Sequence, residues 1–194
     1  MGKKILKMIL FIIFSIFYRV QIIGKENIPQ KGAVLLCSNH VSELDMFFIG
    51  YRIKRLVHYM AKEELFKNPL LGVIIKNLGA FPVKRGKGDI GAIKTSLKLL
   101  SEGHIVGIFP EGTRKKKNNK EIKAKGGAAL LAQKSQSPVL PVLVDGNYKL
   151  FSKIKIIFGK PFRLDLDKNK KYTNSELSLE SEKIMKKINS LLEE

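Results

Sequence analysis

Residues 33–45 read Ala33-Val34-Leu35-Leu36-Cys37-Ser38-Asn39-His40-Val41-Ser42-Glu43-Leu44-Asp45. The apolar run 33–37 is too short for a helix and stops abruptly at polar residues. It reads as a buried strand. Ser42 is an N-cap residue, and a helix over 42–51 follows from it. A strand feeding a helix through a short polar turn is the repeating unit of an α/β sheet. That unit recurs downstream. Strands are expected at 56–60, 80–83, 105–109, 139–144 and 154–158. Helices are expected at 65–78, with Pro69 as a break or a new start, and at 89–100, 126–133 and 175–192. Leu177, Ile184, Ile188 and Leu191 share one face of the last. The predicted fold class is therefore α/β, one mixed and mostly parallel sheet flanked by helices.

The chain has 194 residues, enough for one domain with a real core. It carries 36 lysines and arginines against 17 acids, a net charge of +19. Anionic partners follow: nucleic acid, an acidic lipid surface or a phosphorylated substrate. One cysteine, Cys37, excludes an internal disulfide, and His40, His58 and His104 have no zinc-like spacing with it, so no metal site is expected. Cys37 itself reads as a core residue, with a nucleophile three positions before His40 as the alternative.

Ile5-Leu6 and then Met8 to Tyr18 are apolar except for Ser15, and Lys3, Lys4, Lys7 and Arg19 border these runs. Fourteen helical residues extend about 21 Å, short of the ~30 Å hydrocarbon core. Three readings fit: a cleaved signal, a buried helix, or a monotopic anchor whose basic flanks sit among anionic headgroups. We take the anchor, assigning residues 1–24 to it and 25–194 to the folded domain. The basic flanks put that domain on the cytoplasmic face.

Two polar clusters follow apolar strands, where function is expected in such a sheet. In the first, His40 and Asp45 are five apart, about 140° around one continuous helix. They meet only if His40 ends the strand and Asp45 lies in the first turn of the helix. A carboxylate on one imidazole nitrogen would leave the other as a general base. The alternative is a capping box in which Asp45 partners Ser42. The second cluster is Phe109-Pro110-Glu111-Gly112-Thr113-Arg114. Gly112 allows close approach of the backbone to a ligand, Arg114 can fork onto phosphate, and an ordinary turn is the alternative. A third run, 79–85, ends in Arg85, a phosphate ligand or a plain surface arginine. Gly86-Lys87-Gly88-Asp89-Ile90-Gly91 matches a dinucleotide-binding pattern, but the preceding run is short and contains Pro82. No Gly-x-Ser-x-Gly elbow is present.

Taken in order, these clusters resemble the glycerolipid acyltransferases, the bacterial 1-acylglycerol-3-phosphate acyltransferases in particular. Asn39, His40 and Asp45 match the family's Asn-His-x-x-x-x-Asp motif. Lys62, Gly79, Phe81 and Arg85 match its second motif, and 109–114 match Phe-Pro-Glu-Gly-Thr-Arg without change. Val139, Pro141 and Val142 match the fourth, and Lys125-Gly126 resembles a further lysine–glycine element. The resemblance implies a glycerol-3-phosphate acyltransferase-like fold and direct acyl transfer from a thioester, acyl-CoA or acyl carrier protein, to the sn-2 hydroxyl of lysophosphatidic acid. By the same resemblance His40 is the general base oriented by Asp45, and Arg85, Glu111, Gly112, Thr113 and Arg114 bind the acceptor. Lys62 is one candidate oxyanion donor, and the lysines of 115–125 steer the anionic acyl donor. No cofactor is expected beyond that donor. Lys84 stands where many relatives carry an acid.

Other acceptors keep the same chemistry: glycerol 3-phosphate, another lysolipid or a lipid A precursor. A nucleic-acid-binding module is the reading from another class. It would use aromatic stacking platforms among the basic residues, yet the chain has no tryptophan, and Phe11, Phe14 and Phe17 lie in the apolar segment.

Overall fold

The computed structural model describes Met8, Ile12 and residues 14–50, 52–84, 89–114 and 123–193. Seven strands form one sheet: β1 (Arg19–Ile23), β2 (Val34–Ser38), β3 (Val57–Lys62), β4 (Phe81–Val83), β5 (Ile105–Ile108), β6 (Val139–Asp145) and β7 (Lys153–Phe158). Their order is β1-β7-β6-β2-β5-β3-β4. All neighbours run parallel except β6 and β7. Strands β6, β2, β5, β3 and β4 thus end on one edge, and the pair β7–β1 runs the other way. This is the mixed, mostly parallel sheet expected from the alternation of elements.

β2 is buried on both faces at every residue, as an unbroken apolar run requires of a central parallel strand. Its alternate side chains enter two separate cores. Val34 and Leu36 face one, with Phe48, Ile105, Val142 and Ile156. Leu35 and Cys37 face the other, with Val106, Leu131, Ile184 and Ile188. The helix α1 (Asp45–Gly50) and a helical turn at 14–17 contribute Phe48, Ile49 and Phe14 to the first core. The second face is covered by α4 (Ile90–Ser101), α5 (Gly127–Ser135) and α6 (Asn174–Ser190). Two short helices, α2 (Glu63–Lys67) and α3 (Pro69–Asn77), fill the connection from β3 to β4.

Local signals explain the boundaries. Asn68 caps α3 by accepting from the backbone of Leu70 and Leu71 with Pro69 in the first turn, so Pro69 is a new start. Asp89 caps α4, and Thr173 with Glu176 forms a capping box on α6. Leu177, Ile184, Ile188 and Leu191 are all buried, as their spacing requires.

Two stretches differ from expectation. Residues 19–23, assigned from sequence to the tail of the anchor, are the edge strand β1, paired in parallel with β7 from Arg19↔Lys153 to Ile23↔Ile157. An edge strand buries one face only. Val20 and Ile22 turn inward while Ile23 stays 41% exposed, which blurs the alternation. The helix after His40 begins at Asp45 and not at Ser42.

Of the apolar segment, Phe14 packs at 4.5 Å from the Phe48 ring, while Met8, Ile12, Ile16 and Phe17 are exposed. Among the described residues no helix is long and apolar enough to cross a membrane.

Candidate active site

The chain leaves β2 at Ser38 and turns over the edge where the parallel strands end. Asn39 prolongs the ladder with its side chain: it donates to the Val144 carbonyl and accepts from the Val144 N–H, both at 2.8 Å. That pair of hydrogen bonds ties the chain to β6 immediately before His40. The His40 N–H donates to Glu111 Oε2 at 3.0 Å, so the loop after β5 holds the histidine from the other side.

His40 and Asp45 meet. Nδ1–H of His40 donates to Asp45 Oδ2 at 2.9 Å. The same oxygen accepts from the N–H groups of Val41 (2.8 Å) and Ser42 (2.9 Å), and Tyr148 donates to Oδ1. The N–H of Leu44 donates to the Ser42 hydroxyl at 3.2 Å. One carboxylate both closes the turn, as the capping reading expects, and holds the imidazole. Asp45 is fully buried, and four donors offset the cost of placing a carboxylate there.

The imidazole stacks on Phe109, with centroids 4.0 Å apart and planes 12° from parallel. Phe109 in turn lies over Tyr59 at 6.0 Å. Tyr59 faces Gly107 across the β3–β5 ladder. A Cβ at Gly107 would fall 2.3 Å from the Tyr59 ring, so that stack exists only because position 107 has no side chain. With Nδ1 engaged by Asp45, Nε2 is the nitrogen left for a substrate proton.

The other expected residues are distributed unevenly. Glu111 is buried and bonded to the His40 backbone. Glu111→Ala is expected to strand that N–H at a cost of about 1–3 kcal/mol, read as a lower midpoint in chemical denaturation with the denaturant slope unchanged. Gly112 takes a left-handed φ of 64°. Thr113 and Arg114 are exposed, and Arg114 pairs at 2.9 Å with Glu43 of the loop between His40 and Asp45. With side chains 44% and 74% exposed, that pair is weak and open to exchange for another anion. Lys62 ends β3 on the same sheet edge, one strand beyond β5. Arg85, Gly86 to Gly88 of the glycine pattern, and residues 115–122 of the lysine loop lie outside the described residues.

Cys37 is fully buried on the opposite face of the sheet, and burial pushes its thiol far up. It is a core residue. Among the described residues no group of three His, Cys, Asp or Glu side chains is arranged to hold a metal.

Sequence reading overlooked Tyr148 and Tyr59. Tyr148 is 103 positions from Asp45 in an irregular loop, and no spacing rule connects them. Tyr59 reads simply as a strand residue.

Residues 19–145 match the family model described as Acyltransferase. The chain is 38% identical over 156 residues to the 1-acyl-sn-glycerol-3-phosphate acyltransferase of Bacillus subtilis (strain 168), covering 77% of each chain. It is 29% identical over 143 residues to the protein of that name from Borreliella burgdorferi, covering 73% of this chain and 56% of that one. The crystal structure of the 1-acyl-sn-glycerophosphate acyltransferase from Thermotoga maritima superposes with a TM-score of 0.75 at 25% identity, covering 98% of this chain and 78% of that one.

Proposed function

The chain belongs to the acyltransferase family, and from that premise we propose that it moves a fatty acyl group from an acyl thioester to the sn-2 hydroxyl of lysophosphatidic acid, giving phosphatidic acid. The observation that carries this reading is the buried His40–Asp45 pair at the end of β2, joined at 2.9 Å and stacked on Phe109.

The chemistry follows from the pair. Nε2 of His40 accepts the proton of the acceptor hydroxyl as the oxygen attacks the thioester carbonyl. Asp45 stabilises the imidazolium that forms. The tetrahedral oxyanion collapses, the C–S bond breaks, and the leaving thiolate takes the proton back from the imidazolium. No acyl-enzyme intervenes on sulfur, because Cys37, the sole cysteine, is buried on the other side of the sheet. Arg114, on the rim, and Arg85 are the phosphate ligands of this reading. Coenzyme A or acyl carrier protein supplies the thioester, and the basic loop at 115–125 attracts either one.

Purified protein given acyl-CoA or acyl carrier protein thioester should form phosphatidic acid from lysophosphatidic acid faster than it acylates glycerol 3-phosphate or other lysolipids. Failure to consume any thioester with lysophosphatidic acid would overturn the proposal. Preference for a different acceptor would overturn the substrate assignment.

The same reading places the enzyme on an anionic membrane surface, peripheral and on the cytoplasmic face. Ile16, Phe17, Leu150 and Phe151 are exposed, the two phenylalanine rings lie 6.4 Å apart, and a water-exposed apolar ridge beside a substrate site fits a lipid interface. The double variant Phe17→Ser, Phe151→Ser should bind anionic vesicles at least about 10-fold more weakly in cosedimentation, since complete burial of even one such side chain contributes about 1.5–3 kcal/mol. Undiminished vesicle binding would remove this ridge from the membrane contact.

A further inference from the structure

The loop at 146–152 joins β6 to β7 and rises from the sheet edge that carries His40. Two of its non-glycine residues adopt left-handed backbone: Tyr148 at φ 55° and Phe151 at φ 63°. Such conformations disfavour bulky L-residues and persist where surrounding contacts over-determine them. Here the contacts are identifiable. The Phe151 N–H donates to the Phe17 carbonyl at 2.7 Å, the Ser152 N–H to the Lys149 carbonyl at 3.0 Å, and the Arg19 N–H to the Ser152 carbonyl at 3.0 Å. The Tyr148 ring is wedged edge-on between Phe48 of α1 (5.5 Å) and Tyr18 (6.4 Å). The strained turn is thus held by the N-terminal segment, and its product is a phenol aimed at a buried carboxylate.

Asp45 divides its donors between its two oxygens. Oδ2 receives His40 and two backbone N–H groups, and Oδ1 receives Tyr148. Donors on one oxygen alone would let the carboxylate tilt about its Cβ–Cγ bond. A donor on the second oxygen removes that freedom and sets the plane in which Oδ2 meets His40 Nδ1.

We propose that Tyr148 is a positioning residue of the acyl transfer, fixing the Asp45 carboxylate and through it the orientation and basicity of His40. This rests on the reading of His40 and Asp45 as the general-base pair. Apart from His40, the titratable groups facing Asp45 are Tyr148 and Tyr59. Tyr18 faces Tyr148, and Glu111 meets the His40 backbone. Burial and the Asp45 charge both push the Tyr59 and Tyr148 phenols far up. Both remain neutral throughout the working range, so Tyr148 is a constant donor.

The test is Tyr148→Phe, which keeps the ring and its aromatic contacts. Its kcat should fall about 10- to 100-fold with KM for both substrates within about twofold, the range for a displaced catalytic group. Losing a donor makes Asp45 a stronger partner for the imidazolium, so the acidic limb of the kcat/KM profile should move to higher pH. A difluorotyrosine at 148 keeps the fold and donates more strongly. It should move the limb the opposite way. On a His40→Ala background, Tyr148→Phe should cause no further loss. A Tyr148→Phe enzyme with wild-type kcat and an unmoved limb overturns the proposal. So does one whose only change is a lower melting temperature. A wild-type chain that acylates no acceptor sinks the functional reading together with this one, whereas an active wild type with an indifferent Tyr148→Phe sinks this one alone.

Discussion

His40→Ala is expected to lower kcat about 10²- to 10⁴-fold, the contribution of a positioned general base, in an assay that follows thioester consumption. The scaffold should survive. Asp45 has four donors, and after the substitution it keeps three: the N–H groups of Val41 and Ser42 and the Tyr148 hydroxyl. The Glu111 carboxylate keeps the N–H at position 40, because that bond is to the backbone. Among the described residues no second imidazole or thiol adjoins His40 to take over the proton. The sole cysteine is on the far face of the sheet, and the carboxylates of Asp45 and Glu111 are occupied by their donors. Residual turnover should then be pH-independent across the range where the wild type loses activity. A His40→Ala protein with full activity would remove the general-base role altogether.

The second large effect is on stability. Phe48 is fully buried in α1. Its ring lies 4.5 Å from Phe14, 5.1 Å from Tyr18 and 5.5 Å from Tyr148. It joins three parts of the chain: the N-terminal turn, the entry to β1 and the loop that carries the phenol. Phe48→Ala should cost about 3–5 kcal/mol, the range for emptying an aromatic site in a core. For a chain of this size that corresponds to a melting temperature lower by on the order of 10 °C. Because Phe48 supports Tyr148, kcat measured well below the transition should also fall, which a core residue remote from the site would not cause. A loss under about 1 kcal/mol would mean that the neighbouring rings collapse into the space.

The parts of the fold that were legible share one property: their local pattern and their tertiary role agree. β2 reads as a strand because it is buried on both sides, so its apolar run is unbroken. α4 and α6 read as helices because capping residues and an apolar face coincide. β1 was not legible. Its five residues, Arg19-Val20-Gln21-Ile22-Ile23, follow an apolar run without a break, and their partner β7 is more than a hundred positions away. The site divides in the same way. His40 with Asp45, and 109–114, were legible because each cluster is local and each follows a strand. Tyr148 was not, because its contribution depends on a backbone conformation that tyrosine rarely adopts and on two long-range hydrogen bonds to the N-terminal segment. The role of Glu111 as a clamp on the His40 backbone was hidden for the same reason. Sequence shows that a carboxylate is present, not which N–H it meets.

The pairing of β1 with β7 also bears on how the chain is made. Arg19 and Lys153 are register partners, so this sheet edge cannot zip up until about 130 further residues have left the ribosome, roughly ten seconds at common translation speeds. Over that interval the apolar N-terminal stretch has emerged while its eventual strand partner has not. Under the membrane reading proposed above, a nascent chain in this condition meets the bilayer before its sheet edge can close.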